Sequence, residues 1–233
     1  MTVLGAGVAA VAFCPAPPLL LPAVEGRPDV ATSSLRQACA HAVSTLLAVQ
    51  PDVVVVVGAG AATGERFGVG DAGDLRGFGV HAQVPFAGPA SPDGRRVPLA
   101  HALGAWLLDQ AGSAATRIGV GPDDLGPLIA SLPGRLGVLA MGDGSARRTV
   151  KAPGYLDPAA EPFDARVATA LAAGDAGALA ELDPAEGERL LAAGVPTWRS
   201  VGAALAGRTF TARLHLDDAP FGVGYLVADW TAA

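Results

Sequence analysis

Positive charge is scarce and almost entirely of one kind: of 16 basic residues in the 233-residue chain, only Lys151 is a lysine. Against them stand 22 acidic residues, for a formal net charge of −6. Beyond Arg147–Arg148 and Arg95–Arg96 no basic cluster exists, so the cationic face that neutralises a phosphate backbone is missing. A nucleic-acid partner is excluded on that ground. Cysteine is equally sparse. Cys14 and Cys39 lie too far apart for a CxxC redox or zinc pair, and both are expected as small buried apolar residues in a reducing compartment. A long membrane-spanning run is absent too. The longest uncharged stretch, Val3–Val24, carries Pro15, Pro17, Pro18 and Pro22, which remove helical hydrogen bonds. No basic residue precedes it, so it lacks the usual form of a signal peptide. A cytoplasmic protein with no membrane partner is expected.

What is present is apolar residue spread along the whole chain: 51% of residues are hydrophobic and 16% charged, enough to bury one sizeable core. Val8–Phe13 reads as a buried strand, followed by a stiff extended loop through Pro22. A helix capped by Thr32 or Ser33 runs to about Val49 with Leu35, Cys39, Val43 and Leu47 on one stripe. Val53–Val57 is a strand buried on both faces. After a glycine-rich segment, Gly58–Gly79, come a helix at Pro98–Gln110, a strand at Arg117–Val120, a short helix near Leu125–Leu132 and a strand at Leu136–Met141. Asp157-Pro158 and Asp183-Pro184 each place a capping carboxylate before a first-turn proline, with Glu186 completing a capping box for the second. Three or four helices crowd between Asp157 and Ala206. Strands at Thr209–Leu216 and Gly222–Ala228 close the chain. This alternation predicts one α/β domain over residues 1–233, with a central, largely parallel mixed sheet covered by helices on both faces.

Two glycine-rich turns follow strands. Gly58-Ala-Gly60-Ala-Ala-Thr-Gly64 has GxGxxxG spacing and no following helix, which argues against dinucleotide binding. Met141-Gly-Asp-Gly-Ser-Ala-Arg-Arg148, with Lys151 and Tyr155 after it, is the densest polar constellation. At a strand's carboxyl end, Asp143, Ser145, Arg147 and Lys151 would face a ligand crevice together; otherwise the segment is a solvated loop whose Asp and Ser bond local backbone. Ser145 has no nearby histidine and no GxSxG elbow. A non-haem iron site needs two imidazoles and a carboxylate. Only His41, His81, His101 and His215 are available, and none forms an HxH or HxxxH pair.

Read together, the segments resemble the class III extradiol dioxygenase superfamily (LigB-like, with Memo-like relatives), in order along most of the chain. Ala10–Pro22 is similar to an opening in which a histidine after the first proline binds iron; Ala16 stands there. Pro51–Gly60 is similar to a strand ending in Ser-Pro-His-Gly, with Ala59 at the second ligand position and Gly58 for the proline. Gly73-Asp-Leu-Arg-Gly-Phe-Gly79 resembles the family's Gly-Asp-Phe then Phe-Gly loop. Gly142–Arg148 is similar to Gly-Asp-Leu-Ser-His-Arg, whose histidine is an acid or base, and Ala146 stands there. Phe163-Asp164, the helices from Asp183 to Ala206 and Gly222-Val-Gly-Tyr225 follow the same order.

The resemblance implies a LigB-like fold. Alanine offers no lone pair to iron and no proton to substrate, so the residues imply a metal-free member without ring cleavage. Such a protein would bind a small aromatic or acidic molecule, or a protein partner, at Ala16, Ala59, Arg147, Lys151, Tyr155 and Asp218, with homodimerisation expected from base rates. Two alternatives stand beside it. One is an enzyme of altered, metal-independent chemistry using Asp143, Ser145, Arg147 and Lys151, with Asp218 or Tyr225 assisting. The other is a dioxygenase with a relocated metal on His81 or His215 with Asp71, Asp74, Asp217 or Asp218.

Overall fold

Five consecutive valines leave a strand no polar face to turn to water, so the segment they form must be covered on both sides. In the computed structural model, which describes residues 7–233, they form β2 (Val53–Gly58). Parallel strands flank it: β6 (Thr116–Val120) on one side and β7 (Arg135–Met141) on the other. β1 (Gly7–Cys14) pairs parallel with β7 and antiparallel with β9 (Tyr225–Ala232), which pairs antiparallel with β8 (Phe210–Asp218). A two-residue strand, β3 (Arg66–Phe67), runs antiparallel to β6 at the far edge. The resulting order is β3-β6-β2-β7-β1-β9-β8, and only β3 and β9 oppose the other five. The mixed, largely parallel sheet expected from the sequence is therefore present. A separate hairpin of β4 (Ala72–Asp74) and β5 (Gln83–Pro85) lies after the glycine-rich turn.

Alternation distributes the core between two faces. Val54 and Val56 pack with α2 (Val30–Ala48) and α3 (Leu99–Gln110), while Val55 and Val57 pack with α4 (Leu125–Ser131), α5 (Ala160–Ala173), α6 (Ala176–Ala180) and α8 (Val195–Ala204). A short α1 (Pro22–Glu25) precedes α2, and α7 (Pro184–Arg189) precedes α8. Small residues let α3 lie close on the sheet: a Cβ on Gly104 would come within 2.6 Å of Val56 Cγ1. The opposite face holds the bulk. Trp230 sits edge-on to Phe13 with ring centroids 4.8 Å apart, and its indole N–H donates to the Leu171 carbonyl at 2.7 Å.

Several boundaries differ from those expected. Asp29, not Thr32 or Ser33, caps α2, accepting the Ala31 N–H at 2.7 Å; both hydroxyls donate to the Asp29 carbonyl instead. The proline-rich loop holds a 3-10 turn at Pro18–Leu20 and then α1, because proline is well placed to begin a helix. Asp157 makes its side-chain bond to the Ala159 N–H, two residues on, so α5 starts at Ala160. Asp183 caps α7, but Glu186 accepts from Arg166 at 2.6 Å instead of closing a box. The final turn lies later than expected, between Asp218 and Tyr225.

The connections set where a site can form. The chain leaves β2 through α3 on one face of the sheet and leaves β7 toward α5 on the other. The carboxyl ends of these neighbouring strands therefore flank a topological switch point, where open α/β sheets hold ligands.

Candidate functional site

Cys14, Met141 and Gly58 are register partners across β1, β7 and β2. The loops that follow thus begin in a row, and the parent strands of Ala16 and Ala59 are about 10 Å apart, two strand spacings. The Ala16 N–H donates to Asp143 Oδ1 at 2.7 Å, and the Gly142 N–H donates to the Cys14 carbonyl at 2.9 Å. Tyr225, at the start of antiparallel β9, reaches the same edge opposite Asp218. Burial pushes the Asp143 carboxyl up to about 6, against the pull of the Ala16 bond, and burial followed by the nearby Asp143 raises the Tyr225 phenol.

The rest of the β7 loop is tied down. Ser145 is fully buried: its N–H donates to Asp164 Oδ1 at 2.8 Å, and its hydroxyl donates to the Leu190 carbonyl at 2.8 Å while accepting the Arg147 N–H. Arg148 pairs with the buried Asp164 at 3.0 Å. Main-chain bonds add Gly144 to Gly224, Gly224 to Ser145, Arg148 to Gly222 and Gly194 to Asp143. A Cβ on Gly224 would collide with the Asp164 carboxylate. Burial raises the Asp164 pKa although Ser145 and Arg148 oppose it. The hydroxyl of Ser145 therefore holds two loops together and has no base beside it.

Asp143, Ser145, Arg147 and Lys151 do not converge. No hydrogen bond joins their side chains to one another; the main-chain N–H of Arg147 donates to Ser145 Oγ at 3.1 Å. Arg147 lies 4.0 Å from Asp157 and packs beside Gly154 with Leu191, while Lys151 and Tyr155 face solvent. Asp218 is exposed and its carboxylate accepts its neighbour's N–H. Ala146 is half-buried, its N–H on the Leu190 carbonyl at 3.2 Å. Tyr155 and Leu191 both hold positive φ, at 59° and 55°, an unusual state for bulky side chains.

The histidines occupy three places. His101 is fully buried against Phe67 and Phe86, with Nε2 2.9 Å from the Val120 carbonyl, and burial lowers its pKa. His81 is exposed in the loop before β5. His215 sits where β8 slips register between Leu214 and Leu216, which aims its ring at the Asp229 carboxylate; His41 on α2 lies 6.1 Å from it, centroid to centroid. Asp71 and Asp74 are taken by Arg95 and Arg76. Among the described residues no group of three or more His, Cys, Asp or Glu is arranged to hold a metal ion. The residues at positions 16, 59 and 146 do not fit iron.

A cleft of about 1120 Å³ opens on the other side of the switch point, and of the residues expected to bind a ligand only Ala59 lines it. Ala59 lies at the end of β2; Pro122, Asp123, Gly126 and Pro127 form one wall, and Gly187 to Ala204 of α7, α8 and the turn between them form the other. α8 buries Val195, Trp198 and Val201 against the sheet and leaves Pro196, Arg199, Ser200 and Ala203 to the cleft. The lining is mostly small and apolar, as ligand pockets are. No helix among the described residues is long and apolar enough to cross a membrane.

No protein-family model and no curated protein matches the chain. Among solved structures it is similar to the crystal structure of an uncharacterized protein of Escherichia coli K12, with a TM-score of 0.52 and 14% identity over 96% of this chain and 100% of that one. At that identity the likeness concerns the fold.

Proposed function

We propose that the protein is a metal-free relative of the class III extradiol dioxygenases that binds a small, largely apolar molecule in the cleft at Ala59 and does not cleave rings. The observation that carries this reading is the cleft itself: it opens beside the switch point, reaches the second of the two ligand positions of the resemblance, and presents alanine, glycine and proline there. The ordered motifs support the family, and alanine at positions 16, 59 and 146 supports the loss of iron chemistry. The test is metal analysis of the purified protein with oxygen uptake on catechols after ferrous reconstitution. Stoichiometric iron with turnover would overturn the reading. Trace metal, no uptake and saturable binding of a naphthalene probe are the expected results.

Asp143 favours a second reading, an enzyme of altered chemistry. A carboxyl pushed up to about 6 at the strand ends can exchange a proton near neutral pH, with Tyr225 beside it. Turnover of any cleft ligand that Asp143→Asn abolishes without weakening binding would establish it.

A further inference from the structure

The charges of the cleft specify its ligand further, on the premise that the cleft is the binding site. Among the lining residues are two carboxylates, one from each wall, and one guanidinium. Among the described residues Asp123 has a single side-chain partner, a 3.3 Å bond from the Thr63 hydroxyl, and no ion pair. Glu188 is exposed, and neither a hydrogen bond nor an ion pair engages its carboxylate among the described residues. Arg199 is held on the wall by its Nη1, which donates to the Leu182 carbonyl between α6 and α7, and no carboxylate pairs with it among the described residues, so the lining carries two negative charges and one positive. The other nearby cations are taken. Arg189 pairs with Asp157 at 2.5 Å and Arg166 with Glu186 at 2.6 Å, while Arg147 stands behind Leu191 toward Asp157.

We infer that the cleft takes a cationic amphiphile, an aromatic or alkyl body carrying an ammonium group, and not the acidic molecule that the arginines and lysine of the β7 loop suggest in the sequence. The small apolar walls receive the body, and removal of its surface from water supplies most of the affinity. The head group reaches the rim, where Asp123 and Glu188 have no cation of their own. A carboxylate in the same pose meets two like charges against the single guanidinium of Arg199, whose Nη1 is turned to the Leu182 carbonyl. Partial exclusion of water strengthens both the attraction and the repulsion.

Three matched probes test this: 2-(1-naphthyl)ethylamine, 1-naphthylacetate and 1-ethylnaphthalene, titrated against the whole protein at neutral pH and low salt. The amine is expected to bind roughly tenfold tighter than the acid, with the neutral probe between them, and the gap is expected to shrink at about 0.5 M salt. In the Asp123→Asn/Glu188→Gln double variant, whose surface substitutions leave the core intact, the three affinities should fall within about twofold of one another. Equal binding of all three probes to the wild type, or a preference for the acid, overturns the inference but leaves the cleft as the site. An amine preference that survives in the double variant overturns it too. Failure of all three probes to bind removes the cleft reading and the inference together.

Discussion

The loops after β7 and β2 leave neighbouring strands at the same edge of the sheet, yet one is packed into a joint and the other borders an open cleft. The β7 loop carries nearly every polar residue a catalytic site would want, and its carboxylates, hydroxyl and main chain are spent on β1, β9, α5 and the α7–α8 turn. The β2 loop carries only Thr63 and Glu65 before β3, bonded to Asp123 and to the Ala62 N–H, and a cleft of about 1120 Å³ opens beside Ala59. A dense polar loop at a strand end thus marks a joint in one case, while a sparser one borders usable space in the other.

Substitutions should separate the two regions. The largest effect belongs to Asp164→Ala, which leaves Arg148 and the Ser145 N–H without their buried partner; a loss of about 3–5 kcal/mol in urea unfolding is expected. A change below about 0.5 kcal/mol, the value for an ordinary surface site, would mean that the loop is not braced. Asp143→Asn should act in the opposite direction. Because the folded carboxyl titrates at about 6 and the unfolded one near 3.9, the folded state holds more protons between those values. Wild-type stability therefore falls as pH rises through that window. The variant, which can still accept the Ala16 N–H, should be more stable by up to ~3 kcal/mol above about pH 6 and equal below about pH 4. Next comes Ser145→Ala, expected to cost about 1 kcal/mol by leaving the Arg147 N–H unpaired and the Leu190 carbonyl with only the Ala146 N–H; a gain in stability would contradict its role as a joint. On the other side, Ala203→Trp should change stability by less than about 0.5 kcal/mol yet obstruct the α8 wall of the cleft. Lys151→Ala should alter neither stability nor probe binding.

Much of the architecture was legible because an element buried on both faces reads as an unbroken apolar run, as in Val53–Val57, and because apolar residues dominate Leu99–Gln110 after Pro98. Caps were less legible. Asp29, Thr32 and Ser33 all have capping chemistry, and only the fold decides that the two hydroxyls serve the Asp29 carbonyl. The β7 loop was visible as polar but its role was not, since Asp, Ser and Arg are the residues both of active sites and of loop braces. The pairing of His215 with Asp229 depends on a register slip that no composition announces. The cleft was invisible because its walls are small apolar residues drawn from segments around Ala59, Pro122 and Pro196, with no chemistry of their own. The exposed stripe of α8 was the available signal: Ala203 and Ser200 face outward where a solvated helix would carry charge.

The central claim is that the cleft, and neither a metal nor the β7 loop, holds the ligand. Titrating 2-(1-naphthyl)ethylamine against chelator-treated wild type and the Ala203→Trp variant tests it most directly. Saturable binding that survives chelation and weakens at least about tenfold in the variant is the predicted result. Binding that chelation abolishes, or that the tryptophan leaves unchanged, would contradict it.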